Sequence, residues 1–397
     1  ILFLENINEK AVSFLNNQGY SNITRVKGAF DEKKLLQEIS EYHIIGIRSK
    51  TQLTKKVLEA AKKLQAIGCF CIGVNQVDLQ VATKLGIAVF NAPYSNTRSV
   101  AELVIASIIM LMRKIPEKNK LSHAGIWGKD SANCFEVRGK TLGIIGYGNI
   151  GMQLGILAEA LSMQVIFYDI ETKLPFGNSK QVKSLVELVS NADVISIHVP
   201  ETIQTKHLIN KELLTQFKKN SILINYARGE VVDLESLKKA ILSNHISGAA
   251  IDVFPVEPAK NGDTFVTPLQ GIPNVILTPH IGGSTEEAQL NIGEDVSKKM
   301  FDYLENGTST NSFTVPPLSL PTLENAHRIL HIHKNKPGIL SAINALLSNE
   351  NINIIGQYLK TNDEIGYVVL DIDKSISSKV LNYLKLIDDT IKVRVLY

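Results

Sequence analysis

The sequence is poor in the features that would indicate a disulfide framework, a zinc site or a nucleic-acid partner. It contains three cysteines and one tryptophan in 397 residues, and its formal net charge is only +3. Cys69, Cys71 and Cys134 are spaced neither for disulfides nor for zinc, so we expect no metal, and we expect Cys69 and Cys71 to be reduced and buried. No basic cluster interleaves with aromatic residues, so nucleic acid is not an expected partner.

Long apolar runs and targeting signals are also missing. No apolar stretch has the length needed to span a bilayer, and residues 1–5 begin as a strand without the basic start of a signal peptide. These features predict a cytoplasmic protein with no membrane partner. The first residue is not Met, which indicates that the numbering starts inside a longer gene product. The length allows two or three domains.

What the sequence does contain is a glycine turn between a predicted strand and a predicted helix. An apolar run ends in Gly146-Tyr147-Gly148-Asn149-Ile150-Gly151, and helix-forming residues follow at once. In this pattern the first glycine permits the turn, the second lets the backbone approach a pyrophosphate, and the third lets the helix pack closely. Eighteen positions after the last glycine, Asp169 ends another apolar run, which suits the ribose of NAD. A purely structural turn is the alternative.

The rest of the chain alternates strands and helices, which predicts parallel sheets with functional loops at the carboxyl ends of the strands. We predict a discontinuous substrate-binding domain from residues 1–96 and 284–316, with a nucleotide-binding domain at 97–283 inserted into it. A polar stretch with prolines then indicates a linker. The β-α-β-β-α-β order of residues 326–397 predicts a ferredoxin-like module.

One predicted helix, ending near Arg113, is apolar nearly all round. Such a helix is expected to be buried between domains or subunits. Ser99 and Glu102, three residues apart, predict a capping box at its start.

Three loops that follow predicted strands carry groups suited to anion binding and proton transfer. The planar, permanently charged fork of Arg228 can hold a carboxylate by two hydrogen bonds. Glu257 lies between two prolines, and His280 follows the last strand of this part. A His beside a carboxylate can exchange a proton with a carbonyl oxygen during hydride transfer, and the carboxylate raises the pKa of the His. Singly, such residues are usually structural; together with a dinucleotide turn they favour catalysis.

These motifs resemble those of the D-isomer-specific 2-hydroxyacid dehydrogenase family. The likeness rests on the glycine turn with Asp169, on Tyr226-Ala227-Arg228-Gly229, on Asp252 with Glu257, and on Pro279-His280-Ile281-Gly282-Gly283. Residues 66–78, 90–104 and 331–338 resemble members with a C-terminal ACT domain. The resemblance implies an α/β fold: a Rossmann-type nucleotide-binding domain inserted in a flavodoxin-like substrate domain, followed by a ferredoxin-like ACT domain.

The resemblance also implies an NAD-dependent dehydrogenase. It makes Arg228 the substrate-orienting residue, Glu257 the partner acid and His280 the acid/base. The positions that it assigns to the NAD cofactor are Gly146, Gly148, Asn149, Ile150, Gly151, Asp169, Tyr226, Ala227, Arg228, Asp252, His280, Ile281, Gly282 and Gly283.

Substrate selection is expected to lie mainly in the first domain. Arg48, Ser49 and Lys50 place positive charge and a hydroxyl at a strand end, where a phosphate could bind, although a solvated loop is an equal alternative. Close members of the family have Arg-Ser-Arg here, so Lys50 keeps the charge but weakens two-point binding. The other substrate candidates are the backbone amides of Ile72 and Gly73, with Asn96 and Lys129.

The resemblance further implies that ACT domains pair across subunits and bind L-serine between them. The matching polar positions are His333, Asn335 and Asn353, and a purely structural dimerisation module is the alternative. Related chains carry a glycine pair where Asn325-Ala326 stands here. Because glycine permits hinge angles that alanine resists, we expect the serine signal to be transmitted differently in this chain. A homotetramer is expected.

The implied activity is the oxidation of a phosphorylated hydroxy acid, D-3-phosphoglycerate, to 3-phosphohydroxypyruvate. This is the first step of L-serine biosynthesis, with L-serine as feedback inhibitor and 2-oxoglutarate as a further substrate. Three alternatives stay open: a dehydrogenase for another 2-hydroxy acid, a non-catalytic NAD-sensing corepressor on the same fold, and an amino-acid sensor built on the ACT module.

Overall fold

The computed structural model describes residues 1–258, 262–322, 327–373, 375–376 and 378–396. The chain divides into two compact units. The first unit is Ile1–Ser95 with Gln289–Tyr397, and the second unit is Asn96–Ala288. Asn325 and Ala326, the predicted hinge positions, lie outside the described residues. Over the described residues, no helix has both the length and the apolar character needed to cross a membrane.

The amino-terminal part of the first unit is a five-stranded parallel sheet with helices. Its elements are β1 (Leu2–Phe3), α1 (Glu9–Asn17), β2 (Thr24–Arg25), α2 (Glu32–Glu38), β3 (Ile44–Ile47), α3 (Lys55–Ala60), β4 (Ala66–Cys69), α4 (Leu79–Lys84) and β5 (Ala88–Asn91). The strand order β2-β1-β3-β4-β5 is that of flavodoxin-like folds. Because β1 and β3 are neighbours, the loops that follow them emerge side by side.

Two local differences from the sequence predictions have physical causes. The sequence pattern of residues 53–64 predicts a helix there, but α3 begins only at Lys55, because Leu53 pairs with Val77 in a parallel bridge that keeps its backbone extended. None of the three cysteines forms a disulfide in the described part of the chain, and Cys69 is buried in β4 as expected, but Cys71 is only half-buried. The reason is that Cys71 lies beyond the end of β4, in the loop that follows the strand.

The second unit is built on a seven-stranded parallel sheet. Its elements are α5 (Thr97–Met112), α6 (Ile115–His123), β6 (Thr141–Ile145), α7 (Asn149–Ala160), β7 (Gln164–Tyr168), β8 (Lys180–Gln181), α8 (Leu185–Asn191), β9 (Val194–Ile197), α9 (Lys211–Thr215), β10 (Ser221–Asn225), α10 (Leu234–Leu242), β11 (Ile246–Ile251) and β12 (Val275–Leu277). The order β8-β7-β6-β9-β10-β11-β12 reverses direction at β6, the pattern of doubly wound Rossmann sheets, which bind ligands at that switch point.

The start of α5 differs from the predicted capping box. The helix begins at Thr97 with Asn96 as its N-cap, so Ser99 already lies inside the first turn. The Ser99 hydroxyl lies 2.8 Å from that of Thr285, and Glu102 pairs instead with Arg98. Both groups of the predicted capping box therefore have other partners. Ser99 contacts Thr285, which is distant in the sequence, and Glu102 contacts Arg98, which is one helical turn away. One face of α5 is buried against this unit's core, and the opposite face is partly exposed.

The carboxyl-terminal part of the first unit is a four-stranded antiparallel sheet with two helices. After α11 (Glu286–Asn306), its elements are β13 (His327–Lys334), α12 (Ile339–Asn349), β14 (Ile354–Thr361), β15 (Ile365–Ile372), α13 (Ser378–Leu386) and β16 (Thr390–Leu396). The strand order β14-β15-β13-β16 and the chain order are those of a ferredoxin-like module. The sequence pattern predicted this order of elements.

Buried polar contacts tie this module to the segment that precedes it. Arg328 is fully buried, and its Nε and Nη2 donate to the two carboxylate oxygens of Asp371 at 2.6 and 2.7 Å. Its Nη1 donates to the carbonyl oxygen of Asn306 at 2.9 Å. The buried Tyr367 hydroxyl donates to the carbonyl oxygen of Gly307 at 2.6 Å. The end of α11 is therefore joined to two strands of the module by groups shielded from water.

Candidate active site

The glycine turn joins β6 to α7, and each glycine has a different surrounding. Gly146 has φ +92°, and a Cβ there would lie 2.6 Å from the carbonyl oxygen of His198, so a larger residue is excluded. A Cβ on Gly151 would lie 2.4 Å from the Gly146 carbonyl oxygen, which is the close helix packing that the pattern predicts. Nothing lies within 4 Å of a Cβ on Gly148, the N-cap of α7. This open space beside the N–H groups of a helix start fits a pyrophosphate.

Asp169 follows β7 and faces the glycine turn. Its Oδ2 accepts a hydrogen bond from the Tyr147 N–H at 2.8 Å, and its Oδ1 accepts one from the Glu171 N–H at 3.0 Å. The Tyr147 ring is buried and stacks on Phe167, with 3.7 Å between ring centroids. The carboxylate is thereby held beside the turn, where ribose hydroxyls can donate to it.

Arg228 lies in the loop after β10, at the carboxyl edge of the sheet. The Nδ2 of Asn225 donates to the Arg228 carbonyl oxygen at 2.9 Å, and the Arg228 Nη1 donates to the Ala227 carbonyl oxygen at 2.7 Å. Glycine is required at Gly229, because a Cβ there would lie 2.0 Å from the carbonyl carbon of Phe254. This close crossing brings the Arg228 loop against the loop that follows β11.

Glu257 and His280 form a hydrogen-bonded pair across two loops. The Nδ1 of His280 lies 2.8 Å from Oε2 of Glu257 and 3.1 Å from Oε1. Because a carboxylate only accepts, Nδ1 carries the proton, and Nε2 is the atom that can exchange a proton with a substrate. The Phe254 N–H donates to Oε1 of Glu257 at 3.1 Å and so orients the carboxylate. The His280 side chain is 52% exposed, which leaves its outer edge open to a ligand.

Asp252 is buried and holds the loop that carries His280. Its Oδ1 accepts hydrogen bonds from the Thr278 hydroxyl at 2.6 Å and the Ile281 N–H at 2.8 Å. Its Oδ2 accepts one from the Gly282 N–H at 2.8 Å, and its carbonyl oxygen accepts one from the His280 N–H at 2.8 Å. His280 has φ +54°, a backbone conformation that non-glycine residues adopt only when the surroundings hold them there. Asp252 supplies that support.

The charged groups of the site shift the pKa values of His280 and Glu257. The hydrogen bond to Glu257, with the negative charge of that residue, raises the pKa of His280 above its ordinary value, although partial desolvation of the ring acts in the opposite direction. Burial alone would raise the pKa of Glu257, but the hydrogen bond and positive charge of His280 outweigh burial and lower that pKa. Arg228 acts on both groups and lowers both pKa values. Burial raises the pKa of Asp252 in spite of its three hydrogen bonds.

Two of the predicted cofactor contacts have side chains that are used in packing. Tyr226 is buried, and its hydroxyl lies 2.7 Å from that of Ser107 in α5; burial raises the pKa of this phenol. Ala227 is also buried. Any contact of these two residues with NAD is therefore expected through their backbone. Asn149, by contrast, is exposed at the first turn of α7, where its side chain can reach a ligand.

The loop of residues 48–50 follows β3 in the first unit. Arg48 is half-buried, and Ser49 and Lys50 are exposed. The carboxylate of Glu5 accepts hydrogen bonds from the N–H groups of Arg48 and Lys50 at 3.1 and 3.0 Å. Those two amides are therefore occupied, so the side chains of this loop are the main groups left to bind a phosphate.

The other substrate candidates have varied surroundings. The carbonyl oxygen of Ile72 accepts a hydrogen bond from Nδ2 of Asn91 at 2.5 Å, while the Ile72 and Gly73 amides donate to no protein group among the described residues, which suits the predicted carboxylate. Asn96 lies in the second unit, and its buried Oδ1 is without a partner in the described part of the chain. Lys129 is exposed in the same unit, between α6 and β6.

The predicted effector residues lie at two different ends of the C-terminal sheet. His333 is opposite Gly366 of β15, and Asn335 follows β13 at the same end. Asn353 precedes β14, whose first residue pairs with Ile372 at the other end of β15. Gly366 and Ile372 are six positions apart along β15, which corresponds to about 20 Å at roughly 3.3 Å per residue. One chain therefore does not bring the three side chains together.

Sequence reasoning missed three residues that shape these loops. Thr278 bonds to the Asp252 carboxylate, Glu5 holds the Arg48 loop, and the Nε2 of Gln76 donates to the Arg48 carbonyl oxygen at 2.7 Å. Glu5 did carry a signal, because it is an acid that directly ends an apolar run, as Asp169 is. Nothing in the sequence marks Gln76 as a support of this loop, since Arg48 is 28 residues away along the chain.

Two parts of the chain match models of known protein families. The family described as "D-isomer specific 2-hydroxyacid dehydrogenase, NAD binding domain" matches residues 105–282, and an ACT domain of the type described as "AHAS small subunit-like" matches residues 329–392. The chain belongs to the D-isomer-specific 2-hydroxyacid dehydrogenase family and is an NAD-dependent oxidoreductase with a C-terminal ACT domain. The predicted fold class and the predicted NAD cofactor are thereby confirmed.

Individual relatives and solved structures show a more specific similarity than the family models do. The chain is 53% identical over its whole length to D-3-phosphoglycerate dehydrogenase of Haemophilus influenzae and covers 97% of that protein. It is 52% identical to the enzyme of the same name from Escherichia coli K12, again over its whole length and 97% of that protein. Among solved structures, D-lactate dehydrogenase from Aquifex aeolicus complexed with NAD and lactic acid is 28% identical, with a TM-score of 0.70, over 79% of this chain and 99% of that one.

Proposed function

We propose that this chain oxidises D-3-phosphoglycerate to 3-phosphohydroxypyruvate with NAD, the entry step to L-serine, and that it reduces 2-oxoglutarate as a further substrate. The observation that carries the proposal is the His280–Glu257 pair, 2.8 Å apart, on the same sheet edge as Arg228. The substrate assignment draws on the relatives that carry the name D-3-phosphoglycerate dehydrogenase over their full length. Three cysteines with no disulfide among them in the described residues fit a reducing, cytoplasmic location.

The proton and the hydride leave the substrate by separate routes. Nε2 of neutral His280 takes the proton of the C2 hydroxyl, while Nδ1 keeps its hydrogen bond to Glu257. The imidazolium that forms is stabilised by the adjacent carboxylate, as in other His–acid pairs. Arg228 holds the substrate carboxylate by a two-point hydrogen bond and so fixes C2 in place. NAD, when bound, supplies the nicotinamide C4 that accepts the hydride.

We assign phosphate recognition to the loop of residues 48–50. Its backbone N–H groups at two positions are bonded to Glu5, so the Arg48 and Lys50 charges and the Ser49 hydroxyl would make the contacts. A guanidinium and an ammonium both favour a dianionic phosphate over a neutral group. Substrates without a phosphate would forgo these charge contacts.

A substrate panel tests the proposal. Steady-state rates with NADH are expected to give a kcat/KM for 3-phosphohydroxypyruvate at least about tenfold above those for 2-oxoglutarate, glyoxylate and pyruvate, the equivalent of about 1.4 kcal/mol. L-Serine in the assay is expected to lower the rate with the phosphorylated substrate. Equal kcat/KM values for all four oxo acids would contradict the proposed substrate and favour a dehydrogenase for another 2-hydroxy acid. Absence of any turnover with any of them would favour the corepressor alternative.

Replacing Glu257 by Gln is expected to move the pH dependence. The carboxylate raises the pKa of His280, so its loss lowers that pKa. Reduction needs the protonated imidazole, and the alkaline limb of its pH profile should move to lower pH. Oxidation needs the neutral imidazole, so the acidic limb of the pH profile for oxidation should also move to lower pH. Profiles of kcat/KM in both reaction directions measure this.

The matched control for that variant is Glu230→Gln. Glu230 lies 3.6 Å from His207 in the same unit, so it is another His–acid pair outside the proposed mechanism. In this control, the alkaline limb for reduction and the acidic limb for oxidation are both expected to lie at the same pH as in the wild type. A Glu257→Gln profile that overlays the wild type would contradict the assignment of His280 as the titrating group.

We further propose that L-serine binds at a pair of ACT modules from two chains. β14 is an edge strand with Ile355 60% exposed, and antiparallel pairing of two copies along this edge would bring the start of one β14 to the end of the other. Thr361 at that end is level with His333, since both pair with Gly366. Asn353 of the partner subunit would then complete the site.

The surroundings of His333 support an effector at this place. Its Nδ1 is buried and lacks a hydrogen-bond partner within the described ranges, and Asn335 lies two residues away at the strand end. An amino acid offers both a carboxylate and an ammonium to such polar groups. We expect a homotetramer, and sedimentation of the chain as a monomer at working concentration would contradict the shared site.

A further inference from the structure

Glu5 lies two residues beyond β1, and its burial and backbone conformation are unusual for an acidic residue. It is only 8% exposed, although glutamate is among the residue types that are rarely buried without a partner. Its backbone has φ +61°, in the left-handed region that non-glycine residues seldom adopt. Its own N–H donates to the carbonyl oxygen of Gly28 at 3.0 Å. Such a conformation persists only where the surrounding contacts hold it.

The carboxylate of Glu5 accepts three backbone hydrogen bonds from one loop. Oε1 accepts from the N–H groups of Arg48 at 3.1 Å and Thr51 at 2.8 Å, and Oε2 accepts from the N–H of Lys50 at 3.0 Å. The donors lie more than forty residues away along the chain and are brought close because β1 and β3 are neighbours. Hydrogen bonds to an ionised group are shorter and stronger than those between neutral groups.

The same contacts determine which groups of residues 48–51 are exposed to solvent. Three N–H groups point inward to Glu5, and the Arg48 carbonyl oxygen accepts from Nε2 of the buried Gln76 at 2.7 Å. The side chains of Ser49 and Lys50 remain exposed. With three of its N–H donors and one of its carbonyl acceptors engaged, the backbone of residues 48–51 is held in one shape.

We propose that Glu5 is a positioning residue for phosphate recognition, acting through the conformation of residues 48–51. This rests on the proposed function, in which that loop binds the phosphate of the substrate. A fixed loop loses little freedom when the phosphate binds, whereas a mobile loop must be ordered at the expense of affinity. Glu5 itself touches neither the phosphate nor the reacting atoms in this role. Its effect is confined to KM for phosphorylated substrates.

The test compares substrates with and without the phosphate. Glu5→Gln keeps the size of the side chain but offers one acceptor oxygen in place of two. KM for 3-phosphohydroxypyruvate is expected to rise about tenfold, which corresponds to the loss of one hydrogen bond to a charged group. KM for hydroxypyruvate is expected to stay within about twofold of the wild type, and kcat with either substrate within about threefold.

Two further variants and one control make the result specific. Glu5→Asp keeps the charge with a shorter reach, so its KM for the phosphorylated substrate should lie between wild type and Glu5→Gln. Gln76→Leu loosens the same loop from the carbonyl side and carries the test if Glu5→Gln fails to fold. Glu38→Gln, in α2 of the same unit and outside these contacts, should leave every constant unchanged.

Hydrogen exchange supplies a readout that does not depend on the substrate. The amides of residues 48, 50 and 51 should exchange faster in Glu5→Gln than in the wild type. A wild type without preference for the phosphorylated substrate would contradict the proposed function. A wild type with that preference, together with Glu5→Gln that keeps the wild-type ratio of KM values, would overturn the role of Glu5 alone.

Discussion

Replacing His280 by Asn is expected to lower kcat by about 10²- to 10⁴-fold in both directions, the range typical of lost general acid–base catalysis. Asn is chosen because His280 has φ +54°, and Asn tolerates the left-handed region better than most residues. The amide group does not take up a proton near neutral pH, so the C2 hydroxyl proton has no acceptor in the variant. Steady-state oxidation and reduction measure the effect.

Binding of NADH separates this loss from damage to the fold. Its dissociation constant, measured by fluorescence titration, is expected to change far less than kcat does, because the glycine turn and Asp169, predicted to hold the pyrophosphate and ribose, are untouched and His280 is one predicted NAD contact among many. His207→Asn is the matched control, since His207 is 53% exposed and pairs with Glu230 in the same unit. Equal turnover by the His280 variant and the wild type would remove His280 from the mechanism.

Replacing Arg328 by Leu is expected to reduce the free energy of unfolding by about 3–5 kcal/mol. Arg328 is fully buried, and its removal leaves Asp371, 7% exposed, without the partner that compensates its charge. The carbonyl oxygen of Asn306 loses its donor as well. Chemical unfolding of the full chain, followed by circular dichroism and by the appearance of free C-terminal fragments on proteolysis, measures the loss.

Two comparisons decide whether the buried charge is the cause. The double variant Arg328→Met with Asp371→Leu removes both charges and should recover most of the stability, because no uncompensated charge is left. Arg25→Met breaks the exposed pair of Arg25 with Glu9 and should cost less than about 1 kcal/mol. A double variant as unstable as Arg328→Leu would contradict this explanation.

The local patterns of the sequence were sufficient to predict the motifs from which the proposed site is built. The glycine turn, Asp169 and the three loops after β10, β11 and β12 could be predicted because each motif is short and its function depends on neighbours within a few residues. The apolar runs marked the strands, since strands covered on both faces need such runs. The order of elements in the C-terminal module followed from the same patterns.

Contacts between distant residues could not be predicted in this way. Leu53 is extended because it pairs with Val77, and Ser99 is not a cap because Thr285 takes its hydroxyl. The sequence contains both partners in each case but does not say that the fold brings them together. The separation of His333 from Asn353 at opposite ends of β15 is likewise a property of strand register.

By itself, the sequence determined the fold class, the NAD cofactor and the residue types offered at each strand end, because these depend on local periodicity and short motifs. Only the tertiary structure decided which of those groups meet. It pairs His280 with Glu257 and places the carboxylate of Glu5 under the Arg48 loop, over a separation of 43 residues. The physical reason is that hydrogen bonds and burial act over a few ångströms in space, whatever the distance along the chain.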